Sequence, residues 1–207
     1  THHCGPPTYL IRPFSTAMKT ENKNQQTTTQ QTTASPFTFK VHQATALAPV
    51  IVCRSKEPIG PADVKERLKA KYGELYDHID CFMERRPCFG KPNELCAVIP
   101  GSAVYGALKE AAGLAGKPLT GDFSIEAAYF PEDTIYTITS KITLVNGQPS
   151  LTTREAVAPG ARGILVTLGD VPDVLKVPLI KIGYGKKRGY GTLAIEWREL
   201  YKQPLFS

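Results

Sequence analysis

The 207-residue chain has no apolar run approaching the roughly 20 residues that a bilayer-spanning helix needs. Its first residues carry no apolar signal core followed by a small-residue cleavage site. The expectation is a cytoplasmic protein with no membrane partner. No internal repeat is visible. Cysteine is scarce and odd in number, at five, which argues against the disulfide framework of a small secreted domain. No tight Cys-x-x-Cys knuckle occurs, so the usual compact zinc modules are absent. What remains is a loose group, Cys81, Cys88 and Cys96, with His78 just before it. Three readings stay open for it: a zinc site, buried free thiols, or a bridge of the kind that intracellular proteins of some hyperthermophiles keep. Free thiols are the expected one, and no metal ligand is assigned.

Hydrophobic residues make up 42% of the chain, enough for one domain with a sizeable core. The net charge of +6 permits an anionic partner without requiring one. Its distribution says more. Lys176, Lys181, Lys186, Lys187, Arg188, Arg198 and Lys202 crowd the last 32 residues, where Glu196 and Glu199 are the only acids. At the other end, residues 25–33 are purely Gln and Thr. Such a stretch buries too little apolar surface to offset the entropy of ordering it. Residues 1–36 therefore read as a flexible N-terminal arm. Met18 leaves room for residues 1–17 to be an upstream extension, and Tyr9, Leu10, Ile11 and Phe14 leave room for the arm to dock on a neighbour.

The folded domain is expected over residues 37–207. Phe37, Phe39 and Val41 alternate with Thr38, Lys40 and His42, the period of a strand. A loop with Pro49, Pro58 and Gly60 follows. Pro61 suits a helix start, and Val64, Leu68, Tyr72 and Leu75 recur near helical spacing. Residues 77–93, with Pro87, Gly90 and Pro92, read as loop. Leu95–Ile99 reads as a short apolar strand. Pro100-Gly101 then turns the chain, Ser102 can N-cap, and residues 103–112 read as a helix closed by Gly113. Strands are expected over 122–130 and 134–145, with Asn146-Gly147 as a hairpin turn returning through 150–157. Pro159-Gly160 breaks that strand. Residues 164–168 form another, 171–175 are short with helical character, and 177–182 and 192–198 flank a glycine-rich loop. The sum is a β-rich α+β domain with a long, helix-containing excursion after its first strand.

Two segments carry candidate chemistry. Ile182-Gly183-Tyr184-Gly185-Lys186-Lys187-Arg188-Gly189-Tyr190-Gly191 combines four glycines, two tyrosines and three consecutive cations. Exposed amides of such a loop can cradle phosphate oxygens. Lys186, Lys187 and Arg188 would neutralise a polyanion, and Tyr184 and Tyr190 offer planes for bases to stack on. A solvated glycine-rich hairpin explains the same residues. The other segment is Ile99-Pro100-Gly101-Ser102-Ala103-Val104-Tyr105-Gly106-Ala107-Leu108-Lys109. A helix start with free amides attracts anions. Ser102 adds a hydroxyl there, and Lys109, two turns on, falls near the same side. An ordinary capped helix packed on a sheet is the plain alternative.

Together, these two segments resemble motifs of the RAMP superfamily of CRISPR-associated proteins: Ile-Pro-Gly-Ser before Gly-Ala-Leu-Lys, then a C-terminal Gly-x-Gly-Lys-Lys-Arg-Gly-Tyr-Gly loop. Between them, residues 157–164 resemble the family's Pro-Gly-Thr-x-Phe strand entry, with Ala161 in place of threonine and Gly163 in place of the aromatic. The resemblance spans residues 37–198 in the family's order. It implies a ferredoxin-like (RRM-like) fold with an insertion after the first strand. It also implies CRISPR RNA binding through Ser102, Lys109, Gly183, Gly185, Lys186, Lys187, Arg188, Gly189, Tyr190 and Gly191. The segment before Pro100 resembles backbone subunits of type III effector complexes, antiviral ribonucleoproteins in which other RAMP subunits and target RNA are partners. Those subunits carry an Ile-Asp pair that supports metal-dependent cleavage of target RNA. Ile79-Asp80 is its counterpart here, twenty residues ahead of Pro100. The resemblance thus makes Asp80 the catalytic candidate, with Mg²⁺ or Mn²⁺ as cofactor and Asp77, His78 and Glu84 as neighbours able to assist.

Two rival functions follow. A CRISPR RNA-processing endoribonuclease of the same fold needs a placed general-base histidine. His42 and His78 do not form a pair near the first helix and read as structural or solvated. An RRM-type RNA-binding protein outside CRISPR needs an aromatic-rich strand on its sheet, and that pattern is absent. Arg85-Arg86, beside Pro87, reads as a solvated basic pair with phosphate contact as the alternative.

Overall fold

The computed structural model describes residues 38–143, 147 and 149–204. The arm of residues 1–36, Phe37 and the Asn146 turn residue lie outside them. The elements in chain order are β1 Thr38–Ala46, α1 Val64–Tyr72, β2 Ile79–Cys81, β3 Glu84–Cys88, β4 Lys91–Pro100, α2 Gly101–Ala111, β5 Phe123–Pro131, β6 Ile135–Thr143, β7 Pro149–Val157, β8 Arg162–Gly169, β9 Leu179–Lys181 and β10 Thr192–Pro204. Short 3₁₀ turns cover Gly73–His78, Glu132–Thr134, Asp173–Leu175 and Lys186–Arg188. This is an α+β architecture. A seven-stranded sheet runs β3-β4-β5-β8-β1-β10-β9, all pairs antiparallel. A smaller sheet runs β2-β7-β6, with β2 and β7 parallel.

β1 lies inside the large sheet, and both its faces are covered. Phe39 and Val41 join an apolar cluster with Cys96, Val98, Tyr129 and Val166 on one face. Ala44 and Ala46 join the main core on the other, with Ile99, Val104, Leu108, Phe130 and Leu165. The polar residues of the β1 alternation are therefore also enclosed. Lys40 pairs with Asp170 and lies 2.8 Å from Glu199. His42 is buried beside Trp197, with its ring 5.1 Å away.

α2 packs against the main core through Val104, Ala107 and Leu108. Its entry explains the Pro-Gly turn: a Cβ on Gly101 would stand 1.8 Å from the Ile125 carbonyl oxygen. The expected Ser102 cap is corrected, because the helix already begins at Gly101, Pro100 is its N-cap, and no side chain caps it. At the other end Gly113, at φ 69°, donates to the Glu110 carbonyl and Leu114 to that of Lys109, the paired bonds of a glycine-terminated helix. In β8, a Cβ on Gly163 would lie 2.8 Å from the Phe130 ring and 2.3 Å from the Tyr129 carbonyl oxygen. Phe130 fills the space that an aromatic at 163 would need.

Three further expectations are corrected. α1 ends at Tyr72, where the chain turns through Gly73 into a 3₁₀ segment, and Leu75 is exposed. The supposed loop of residues 77–93 contains β2, β3 and the start of β4. β3 carries Arg85, Arg86 and Pro87 and has no apolar alternation to betray it; Pro87 is tolerated because β3 is the sheet edge. The cysteines are not free thiols. Cys88 is bridged to Cys96 across the β3–β4 hairpin, and Cys53 to Cys81, with Cα separations of 5.0 and 5.7 Å. That disperses the zinc candidates, and among the described residues no three His, Cys, Asp or Glu side chains converge as metal ligands.

Arg85 does not meet solvent. It is buried, and its guanidinium forks onto Glu155 of β7, Nη1 to Oε2 at 2.8 Å and Nη2 to Oε1 at 2.6 Å. Its Nε donates to Glu132. Glu155 also accepts the Met83 amide at 2.7 Å and the Tyr72 hydroxyl at 2.6 Å. Burial, and then the Glu155 charge, push the Tyr72 pKa far up. One ion pair thus joins α1, β3, β7 and the Glu132–Thr134 turn. Such a pair is tolerated because each guanidinium nitrogen donates and each Glu155 oxygen accepts two hydrogen bonds.

Candidate nucleic-acid interface

The glycine loop connects β9 to β10, which pair through Lys181 and Thr192. It is not a free hairpin tip. Gly183, at φ 80°, would carry a Cβ 2.2 Å from the Ile51 carbonyl oxygen, and the Tyr184 amide donates to that same oxygen at 2.9 Å. Gly191 donates to the Pro49 carbonyl at 2.7 Å. The loop is therefore sewn to the segment after β1, and glycine is what lets the two backbones touch. Lys186, Lys187 and Arg188 form a single 3₁₀ turn between left-handed Gly185 and Gly189. The partly buried Tyr190 ring packs against Gly185, where a Cβ would stand 2.5 Å from it, so the absence of a side chain at Gly185 makes room for that ring.

The loop meets the other candidate segment. Lys186 Nζ lies 2.6 Å from Glu110 Oε2 of α2. A groove of about 440 Å³ opens between them, with Ser102, Gly106 and Glu110 on one wall, Gly183 and Lys186 on another, and Arg54 on the third. Two sequence motifs some eighty positions apart thus share one concave surface. Among the described residues, Lys187 and Arg188 meet no carboxylate, whereas Lys186 does. Lys109 does not join the groove. Its Nζ donates to the Lys117 carbonyl and sits 5.5 Å from the Tyr105 ring.

Sequence reasoning missed Arg54 and Arg154. Arg154 lays its guanidinium over the Tyr184 ring, 4.2 Å from the centroid, and its Nη1 is buried with no acceptor. An unmet buried donor costs about 1–3 kcal/mol. Tyr136 lies beside Tyr190; burial, and then the Tyr190 charge, raise the Tyr136 pKa. The available signal was the period of β7: Thr153, Glu155 and Val157 turn inward, which sends Arg154 to the opposite face.

Asp80 is not among the residues that line this groove, although its neighbour Cys81 is bridged to Cys53, which is. Asp80 sits where the β2–β7 register slips, and its Oδ2 accepts the Thr153 amide at 2.8 Å. The carboxylate replaces a main-chain acceptor that the irregularity removes. Glu84, a proposed helper, pairs with Arg86 at 2.7 Å. One engaged carboxylate is not a divalent-cation site, so the residues present do not fit Mg²⁺ or Mn²⁺ by themselves. His42 is buried and His78 is exposed at the end of a 3₁₀ turn; neither lines the groove. Burial lowers the His42 pKa and keeps the ring neutral near pH 7. Among the described residues, no helix is long and apolar enough to cross a membrane.

No family model matches the chain. No curated protein matches it either. Among solved structures, a chain in a cryo-EM structure of the type III-B Cmr-beta bound to cognate target RNA is similar at 14% identity and a TM-score of 0.49, over 78% of this chain and 59% of that one. A chain in the apo state of type III-B Cmr-beta is similar at 8% identity and a TM-score of 0.34, over 77% of this chain and 97% of that one. This chain therefore spans less than two thirds of the length of the first.

Proposed function

We propose that this protein is a guide-RNA-holding subunit of a type III CRISPR effector ribonucleoprotein. The observation that carries the reading is the shared groove: the Pro-Gly-Ser helix and the glycine loop, which resemble RAMP motifs in sequence, meet at Lys186 and Glu110. The strand order adds support. β5-β8-β1-β10, with α2 leading into β5, is the order of a ferredoxin-like core. The turn at Asp173–Leu175 stands where such a core has its second helix. β3, β4 and β9 extend that core at its edges, and the small sheet takes β6 and β7 from the connection between β5 and β8 and only β2 from the excursion after β1.

The groove binds RNA by its backbone. Lys187 and Arg188 neutralise phosphates, and amides of the Lys186–Arg188 turn approach phosphate oxygens. Binding is then broad across sequences, as a subunit that carries changing guides requires.

The test is binding of labelled single-stranded RNA across a salt titration. Lys187→Ala with Arg188→Ala should weaken binding to all sequences and lower the log–log slope by about 1.4, from two phosphates at about 0.7 each. Adding Lys186→Ala should change the slope by less than another 0.7, because Glu110 already neutralises that lysine. Unchanged affinity and slope in the double variant would sink the reading. The cleavage role that the resemblance attaches to Asp80 is tested separately. Asp80→Asn keeps an acceptor for the Thr153 amide and removes the charge. In an assembled particle with Mg²⁺ or Mn²⁺, loss of target cleavage at this subunit alone would make Asp80 catalytic; persistence would make it a strand-register residue.

A further inference from the structure

The β6–β7 sheet presents a second set of groups to the glycine loop. Register places Tyr136 opposite Ala156 and Ile138 opposite Arg154, so Tyr136 and Arg154 share one face of that sheet. Glu155, one residue on, turns into the core and binds Arg85, which fixes the alternation. Arg154 covers one side of the Tyr184 ring, and Tyr184 is 37% exposed. The Tyr184 main chain is held by the Ile51 carbonyl at 2.9 Å, so its side chain projects from a fixed point. Among the described residues, Arg154 has no carboxylate partner, and its Nη1 has no acceptor.

We propose that Arg154, Tyr184 and Tyr136 form a nucleotide subsite for single-stranded RNA, on which a base stacks against Tyr184 and Arg154 Nη1 donates to a phosphate oxygen. This rests on the guide-RNA reading and extends it from the loop to the small sheet. A tyrosine plane accepts any base, which suits a site without sequence preference. The guanidinium behind the ring keeps that plane rigid and electropositive. Nη1 meets no acceptor among the described residues, and a phosphate held beside the Tyr184 ring supplies one. A charge-assisted bond to phosphate then replaces an unmet donor. RNA bound in this way bridges the glycine loop and β7, which fixes its path across the subunit.

The experiment uses the full chain, a fluorescein-labelled single-stranded RNA of mixed sequence, and anisotropy across a salt titration. Arg154→Met should weaken binding about tenfold and lower the log–log slope by about 0.7. Tyr184→Leu should weaken it about tenfold with the slope unchanged, because stacking releases no counterion. Ultraviolet crosslinking should join RNA to the Tyr184 peptide. Arg154 is partly enclosed, so each variant is first checked by thermal unfolding. If Arg154→Met unfolds early, Arg154→Lys decides, with the slope kept and the affinity reduced. Wild-type affinity in the folded Arg154 and Tyr184 variants overturns the subsite. The Lys187→Ala, Arg188→Ala variant separates the two failures. If it is weakened while the Arg154 and Tyr184 variants are not, only the subsite falls; if it too binds like wild type, the guide-RNA reading falls with it.

Discussion

Glu155→Gln is the sharpest probe of how this fold is held together. The side chain keeps its shape but loses its charge, and one oxygen becomes an NH₂ group. Glu155 now accepts four hydrogen bonds, from Arg85 Nη1 and Nη2, the Met83 amide and the Tyr72 hydroxyl. The NH₂ of glutamine would face two of those four donors. Arg85 would remain buried with only Glu132 as a charged partner. Removing one member of a buried ion pair costs about 3–5 kcal/mol. At about 2–4 °C per kcal/mol for a chain of this size, Tm should fall by roughly 6–20 °C. Circular dichroism melting at fixed pH reads this directly, and urea midpoints check it. The double variant Arg85→Met, Glu155→Met removes the stranded charge. It should lose about 2–6 kcal/mol, from the Met83 amide and the Tyr72 hydroxyl left unmet at about 1–3 kcal/mol each, so its melting point relative to the single variant measures how the stranded Arg85 charge compares with two unmet neutral donors. A Glu155→Gln protein melting within about 2 °C of wild type, less than 1 kcal/mol on that scale, would refute the network's role.

The two bridges should each be visible thermodynamically: Cys88→Ala with Cys96→Ala should cost about 2.6 kcal/mol and Cys53→Ala with Cys81→Ala about 3.6 kcal/mol by loop-closure entropy. In denaturant without reductant, none of these four thiols should react with a thiol reagent, and reaction at Cys88 or Cys96 would contradict the pairing. His42 should make the fold acid-sensitive. Its pKa is lowered by burial, so the unfolded chain takes up the proton first, and stability falls as pH drops through about 6.5 towards the folded value. His42→Gln should flatten that fall in urea titrations between neutral and mildly acidic pH, and parallel curves for the two proteins would rule the histidine out.

Much of the local structure was written in short-range signals. The alternation from Phe39 to Val41, the Pro100-Gly101 turn, the Gly113 stop and the Pro159-Gly160 break each act within a few residues, and each stands where the local chemistry puts it. The glycine loop was legible for the same reason: clustered glycines and cations announce a special backbone. Its shape was not. Whether the loop was a solvated hairpin or a docked one depended on Pro49 and Ile51, more than a hundred residues earlier.

What tertiary structure alone decided were the long-range partnerships. Arg85 looked like half of a solvated basic pair because nothing local marks Glu155 as its counterpart; the parallel β2–β7 contact and the β3 edge bring them together. The cysteine group looked like one cluster because sequence proximity suggested it, yet Cys53 takes Cys81 and leaves Cys88 to Cys96. Asp80 gained a hydrogen bond from the Thr153 amide, seventy-three positions away, which no local pattern announces. Arg154 carried no motif and gained its place only when β7 was laid against the glycine loop. Backbone turns and periodicity obey local sterics, so the sequence by itself determined them. Pairing of charges, thiols and rings depends on which strands become neighbours, and that is settled only when the whole core is packed.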